Sequence, residues 1–214
     1  MAKEKSTVWT HGLIRKTFAL QKIDEDYPLL EDWITVNNNL TEVELAMLEI
    51  RRKKLLKNVN GWNEETLKMK FIAFILDMAD YDIGQFQGIF ETDMSAVVQG
   101  YPLKVIADFT VATVIEDLVE YPYFYFHEYK QKKNAKDPIA QVLLAMLIAQ
   151  EKNQDSKPIY GCHVIGELWH FMVCHGREYS IHKGFNATNP DELQRILLIL
   201  RKFKEILLLN NTPQ

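Results

Sequence analysis

Apolar residues at helical spacing predict four long helices. These cover residues 40–58, 63–80, 137–153 and 191–209. In the first, Thr41-Glu42-Val43-Glu44 offers a capping-box start. Asn63 is placed to cap the second, and Pro138 suits the first turn of the third. Residues 137–153 are apolar on almost every side, so we expect that helix to be buried.

Between these helices the pattern changes to runs typical of strands. Such runs occur at residues 86–99, 103–113 and 121–130, and residues 159–185 read as two or three further strands. The last region turns near Gly166-Glu167 and Gly176-Arg177. After residue 62 the predicted order is therefore α-β-β-β-α-β-β(-β)-α. This order favours a mixed α/β fold with antiparallel hairpins and one crossover helix.

The stretch NVNGW (58–62) is the clearest break in the chain, because it is rich in Asn and contains Gly61. The residues before it look helical, whereas strands appear only after it. We therefore predict an N-terminal helical segment over residues 1–60 and a second domain over residues 61–214.

Composition narrows the class of protein. The 214 residues are 47% hydrophobic and 25% charged, as expected for a globular chain, and no apolar run approaches a membrane span. The N-terminus lacks the apolar core of a secretory signal, and two cysteines, Cys162 and Cys174, are too few for a disulfide scaffold. These features predict a cytoplasmic protein with reduced thiols and no membrane partner. The net charge of −4 argues against a largely basic surface but leaves room for a local basic groove.

The strand YPYFYFHEYK (121–130) ends in charges on a face that begins apolar. Strict alternation puts Phe124, Phe126, Glu128 and Lys130 on one face, and Tyr123, Tyr125, His127 and Tyr129 on the other. In the preceding strand Asp108 interrupts an apolar run, and an ionised carboxylate there needs a partner. If these strands form a meander, Asp108, Glu128 and Lys130 meet as an Mg²⁺ site with a nearby ammonium.

This arrangement resembles the PD-(D/E)XK nuclease superfamily. Ala107-Asp108 matches the first half of its motif and Glu128-Tyr129-Lys130 the second. The stretches WNEETLKMKFI (62–72), FHEYK (126–130) and IYGCHVIG (159–166) are similar to an uncharacterised bacterial branch, and the resemblance covers most of 62–205. It implies an α/β restriction-endonuclease-like αβββαβ core, a mixed sheet flanked by helices, with an N-terminal helical extension.

The resemblance also implies roles for residues beyond the motif. An acid from the preceding helix often joins the site, and Glu64 is favoured over Glu65 because it shares a face with Leu67 and Phe71. Gln141 matches a glutamine that some branches carry after E-x-K. Those branches have a tyrosine four residues later, where this chain has Ala145.

The implied activity is metal-dependent hydrolysis of phosphodiester bonds, with DNA as the expected substrate. Asp108, Glu128, Glu64 and the backbone carbonyl of Tyr129 are expected to hold Mg²⁺, for which Mn²⁺ can substitute. Lys130 is expected to position or deprotonate the attacking water, or to stabilise the charge that develops on the phosphate.

Ordinary structural roles stand beside these assignments. Glu128 and Lys130 also fit a solvated strand end, Asp108 a hydrogen-bonded edge carboxylate, and Glu64 a charge at a helix N-terminus. Gln141 fits equally well as a core amide whose partners are backbone groups.

Other polar and apolar clusters favour structural roles. The lysines of 131–136 fit a solvated loop better than a phosphate-binding patch. The histidines and cysteines of 162–182 lack zinc-site spacing, since alternation sends Cys162 and His163 to opposite faces. The apolar stripe of residues 191–209 is expected to join the core first and to form a homodimer interface second.

Two other functional classes remain open on the sequence alone. The chain could keep the nuclease fold without catalysis and act as a nucleic-acid-binding or protein-interaction module. It could also be a partner protein that docks through its first sixty residues.

Overall fold

The computed structural model describes residues 7–24, 26–37, 39–116, 118–130 and 137–211, and within 118–130 it describes side chains at 118–120, 123 and 129. The lysine-rich stretch 131–136 lies outside these residues. The described helices are α1 (His11–Thr17), α2 (Pro28–Ile34), α3 (Glu42–Asn58), α4 (Glu64–Leu67), α5 (Ala73–Ala79), α6 (Pro138–Asn153) and α7 (Pro190–Asn211). The four predicted helices are confirmed, with one change: a π-helical segment, Lys68–Ile72, joins α4 to α5.

The described strands form one mixed sheet. They are β1 (Gln21–Lys22), β2 (Phe86–Val98), β3 (Tyr101–Ile115), β4 (Leu118–Lys130), β5 (Ile159–Ile165), β6 (Leu168–His175), β7 (Glu178–Ile181) and β8 (Phe185–Asn186). The spatial order is β1-β7-β6-β5-β4-β3-β2, and β8 pairs with β6. The pairs β4–β5 and β1–β7 are parallel and the others antiparallel. The predicted mixed α/β class is confirmed. The predicted order of elements after residue 62 is also found, except that residues 159–186 form four strands instead of two or three.

Helices cover both faces of the sheet and give the molecule two apolar cores. The first core holds the buried residues of α2, α3, the 64–79 helix and α7, including Trp33, Phe71 and Phe203. The second holds α1 and α6, including Ile14, and α6 is buried along nearly its whole length as predicted. Burying apolar surface on both sides of a sheet requires strands with two apolar faces, as β5 has.

The described residues before position 60 pack against the rest of the described chain. The Trp33 ring lies 5.0 Å from Tyr160 and 5.1 Å from Phe171, and its Nε1 donates to the Ile199 carbonyl. Strand β1, which the helical reading of this segment did not anticipate, pairs with β7. The helices on both sides of residue 60 therefore share one core, and the domain boundary there stays a prediction.

The strict alternation predicted for residues 123–130 is wrong. Tyr123 is buried in the second core and Tyr129 in the first, so the two side chains lie on opposite faces. The cause is a shift in register with β3: Ala112 pairs with Tyr123 and Val111 with Tyr125, which leaves Phe124 as an extra residue. Alternation restarts at Tyr125, so the backbone positions of Glu128 and Lys130 still share a face.

Helix α3 begins with the predicted capping box and is tied to α7 by one carboxylate. Glu44 accepts from the Thr41 backbone N–H at 2.7 Å, and its other oxygen lies 2.5 Å from the Arg201 guanidinium. These contacts lower the pKa of Glu44 from 4.5 to about 2. The largest cause is the hydrogen bond from the Thr41 backbone, and the second is the hydrogen bond from the Arg201 side chain.

This carboxylate makes stability depend on pH in a defined window. Because its pKa is lower in the folded state, its contribution is present above pH 4.5 and is lost as pH falls toward about 2. Urea unfolding should therefore show wild type more stable than Glu44→Gln near neutral pH, with the difference shrinking across this window. Glu42→Gln, in the same first turn, controls for loss of charge alone. A difference that stays constant with pH contradicts the assignment.

Among the described residues, no helix combines the length and apolar character required to cross a membrane.

Candidate active site

Asp108 lies where strands β3 and β4 stop pairing. The β3–β4 ladder runs from Ile115 and Leu118 to Phe109 and His127, and Asp108 is the next β3 residue beyond it. Its Oδ2 accepts a hydrogen bond of 2.8 Å from the backbone N–H of Tyr129. The carboxylate therefore reaches across the opening between the strands to the middle residue of Glu128-Tyr129-Lys130.

Strands β2 and β3 are both irregular where Asp108 and Glu91 lie opposite each other. Ala107 lies in the second core and Phe109 in the first, although alternation should put both on one face. On β2 the pairs with Phe109 and Ala107 are Phe90 and Thr92, so Glu91 lies opposite Asp108. Glu91 has φ +57, a left-handed conformation that is uncommon for a residue with a side chain. Such backbone irregularities cluster at functional sites.

A buried lysine joins the same place from the helix. The Lys68 ammonium is hydrogen-bonded to the Glu91 carboxylate and lies 3.5 Å from Glu65 Oε2, with 11% of its side chain exposed. Burial lowers the pKa of Lys68, but the hydrogen bond and charge of Glu91, with the charges of Glu65 and Asp108, outweigh burial and raise it. Lys68 therefore stays an ammonium among three carboxylates.

Lys68 is also the first residue of the π-helical segment. π-Helical turns are rare in proteins, and those that occur are often found at functional sites. The extra residue in such a turn redirects the side chains on one face of the helix. The π turn, the left-handed Glu91 and the break in alternation at Asp108 thus meet at one cluster. Sequence analysis missed Lys68 and Glu91. The one available signal was a lysine placed directly beside the apolar face that contains Leu67 and Phe71.

The helix acids differ in their surroundings. Glu64 and Glu65 follow the cap Asn63, whose side chain accepts from the Thr66 N–H, as predicted for this helix start. Glu64 is half-buried, whereas Glu65 is exposed and contacts Lys68. The role predicted for Glu64 stays a prediction.

The backbone positions of Glu128 and Lys130 are set by the parallel ladder with β5. Glu128 pairs with His163 and Lys130 with Ile165, so the strand continues beside β5 after it has left β3. Their side chains lie outside the described part of the chain, and their place in the site stays a prediction. The Tyr129 side chain is fully buried in the first core, so this residue can serve the site only through its backbone.

Gln141 lies in the first turns of α6. That helix is capped by Asp137, whose Oδ1 accepts from the Ala140 N–H, and Gln141 itself is half-buried. Ala145, at the position where some branches carry tyrosine, is buried. The role of Gln141 in the site therefore also stays a prediction.

The described histidines and cysteines of 162–182 take part in packing and do not form a metal site. Cys162 and Cys174 are not joined by a disulfide and are buried in opposite cores. His163 stacks on His170 with centroids 4.6 Å apart, and burial, with the charges of His170 and His11, lowers the pKa of His163 to about 3. Within the described residues, no three His, Cys, Asp or Glu side chains form a group that could hold a metal ion.

The comparison with known proteins adds no relative. A scan of the chain against protein-family models and a search of curated proteins each found no match.

Proposed function

We propose that the protein is a metal-dependent nuclease of the restriction-endonuclease-like class, acting on DNA. The observation that carries this proposal is the hydrogen bond between Asp108 Oδ2 and the Tyr129 N–H. It brings the Asp108 carboxylate beside the E-x-K stretch at the end of the β3–β4 ladder.

The order of elements supports the same class. The helix over residues 64–79 is followed by the antiparallel strands β2, β3 and β4, by α6, and by β5 parallel to β4. This order of elements supports the αβββαβ core that the resemblance implies. Fold alone does not decide activity, so the proposal rests on the site.

The donor chemistry fits a hard divalent cation. Carboxylate and carbonyl oxygens are the ligands that Mg²⁺ prefers, and no sulfur or imidazole is required. Asp108, Glu128, Glu64 and the Tyr129 carbonyl would hold Mg²⁺, or Mn²⁺ in its place. When bound, the ion supplies a water of lowered pKa and neutralises charge on the phosphate.

The remaining steps belong to the chain's own residues. The Tyr129 N–H fixes the orientation of the Asp108 carboxylate. Lys130 would orient the attacking water or accept its proton, and Gln141 would position the substrate. Lys68, held by Glu91, offsets carboxylate charge beside the site and so lowers the electrostatic repulsion that a phosphate would meet there.

One observation favours a second candidate function. Lys68 already bonds to Glu91, and it lies close enough to Asp108 for the charge of that carboxylate to raise the pKa of Lys68. Part of the negative charge of the carboxylates is therefore balanced without a metal. A protein with this arrangement could bind nucleic acid, or another protein, without cleaving it.

A cleavage assay separates the two functions. Labelled duplex DNA, single-stranded DNA and RNA are incubated with the protein in Mg²⁺, in Mn²⁺ and in a chelator. We expect DNA cleavage with either ion and none in the chelator. Binding of DNA without cleavage under every condition would instead support the binding module.

A further inference from the structure

A cavity of about 440 Å³ opens beside the candidate active site on the first-core face of the sheet. Its walls come from α3, the 64–79 helix and strands β2 and β3. Three lining residues, Met69, Phe90 and Phe109, directly follow or precede Lys68, Glu91 and Asp108 in the chain. A ligand group in the cavity would therefore lie next to that cluster.

The cavity offers an exposed aromatic surface at Phe90, with the buried Phe109 ring behind it. The Phe90 and Phe109 rings meet edge to face with centroids 5.0 Å apart, and Phe90 remains 40% exposed. Across the cavity the Arg51 guanidinium lies 4.1 Å from the centre of the Phe74 ring. Aromatic rings and a planar guanidinium are the groups on which a nucleobase stacks.

The shape of the aromatic wall depends on one glycine. A Cβ added at Gly88 would come within 2.6 Å of the Phe109 ring, so the ring lies against the backbone of β2 only because no side chain is present there. The absence of a side chain at residue 88 keeps Phe109 in the wall of the cavity.

The polar groups of the cavity include three carboxylates that can only accept hydrogen bonds. They belong to Asp77, Asp80 and Asp82. Asp80 is held by the Lys204 ammonium at 2.8 Å, and Asp82 accepts from the Gly88 N–H at 3.1 Å. Asp77 is exposed on the helix surface facing the cavity. These acceptors select a ligand that presents N–H groups.

We propose that this cavity binds one unstacked nucleobase of the substrate, preferring a base with an amino group. This inference rests on the proposed function for the class of substrate. Guanine presents N1–H and an amino group side by side and can donate both to one carboxylate, whereas uracil and thymine present one N–H between two carbonyls. Guanine should therefore bind best, and uracil or thymine worst.

The charge balance favours a neutral base over a simple organic cation. Asp77, Asp80 and Asp82 carry three negative charges, and Arg51 and Lys204 lie close enough to offset two of them. The stacking surface then supplies most of the recognition and the carboxylates supply the selectivity.

Binding of nucleosides tests the proposal without metal and without cleavage. Guanosine, adenosine, cytidine and uridine are titrated separately against the metal-free protein by ligand-observed NMR, with benzylamine as a simple aromatic cation. We expect guanosine to bind at least about tenfold more tightly than uridine. Phe90→Ala should weaken all bound nucleosides about tenfold by removing a stacking surface. Asp77→Asn should weaken guanosine selectively.

Matched controls keep the test specific. Ile106→Ala removes another exposed apolar side chain of the same hairpin, and Asp26→Asn removes an exposed carboxylate elsewhere; neither should change binding. The proposal is overturned if no nucleoside binds, if all bind equally and Phe90→Ala has no effect, or if benzylamine alone binds.

The outcome is separable from that of the proposed function. Guanosine binding by a protein that cleaves no DNA would keep the base site and remove the nuclease. Cleavage by wild type together with unchanged nucleoside binding by Phe90→Ala would keep the nuclease and remove the base site.

Discussion

Replacing Asp108 by asparagine should reduce DNA cleavage by about a hundred- to a thousandfold. The substitution keeps the size of the side chain and an oxygen that can accept from the Tyr129 N–H, so the local fold should persist. It removes the negative charge at the opening between β3 and β4, where the proposed metal is held. The loss should appear in the cleavage rate with Mg²⁺, measured on the same labelled duplex as wild type.

The control for this substitution is Asp93→Asn. Asp93 lies on the neighbouring strand β2, is 57% exposed and pairs with Lys104 at 2.7 Å instead of with Lys68. It should cleave DNA within about twofold of wild type. Equal cleavage by Asp108→Asn and Asp93→Asn would exclude Asp108 from the chemistry.

Replacing Trp33 by alanine should lower the free energy of unfolding by about 4 kcal/mol. The Trp33 side chain is fully buried, packs on Tyr160, Phe171 and Phe203, and donates to the Ile199 carbonyl. Its removal leaves a large cavity and takes away a buried hydrogen bond, and both losses cost stability. Urea denaturation followed by circular dichroism measures the loss.

This substitution also tests the boundary predicted at residue 60. Because Trp33 precedes that boundary and its partners follow it, one cooperative transition with the full loss indicates a single folding unit. Val43→Ala, at a position 69% exposed on α3, should change stability by less than about 0.5 kcal/mol. Two separate transitions, with the loss confined to one, would support an independent N-terminal segment.

The elements that could be predicted are those with local signals. The start of α3 follows from Thr41 and Glu44, which form the capping box, and the start of the 64–79 helix follows from Asn63. The burial of α6 follows from a sequence that is apolar all round. Each signal involves neighbours within four residues, so one sequence is sufficient to read it.

The features that could not be predicted depend on pairing between distant residues. The extra residue Phe124 appears only once β4 pairs with β3, and it moves Tyr123 to the other core. The short strand β1 exists because β7 is available to pair with it. Strand propensity is weak in two residues, and only tertiary context makes such an element visible.

The candidate site divides in the same way. Asp108 was identifiable because an acid in an apolar strand needs a partner, and it accepts a hydrogen bond from the predicted E-x-K stretch. Lys68 and Glu91 could not be identified as site residues from the sequence. A lysine in an amphipathic helix and a glutamate in an edge strand are both common, so neither stands out. In the structure they are distinguished by their ion pair, by the burial of Lys68, by the left-handed backbone of Glu91 and by the π turn at Lys68.

The measurement that tests the central claim most directly is calorimetric titration of Mg²⁺ into wild type and into the Asp108→Ala/Glu128→Ala double variant. We expect wild type to bind Mg²⁺, with a hydrolysis-resistant DNA duplex present to complete the coordination, and the double variant to lose this binding. Wild type that binds no Mg²⁺ in the presence of DNA, or a double variant that binds it equally well, would contradict a metal site at the divergence of β3 and β4.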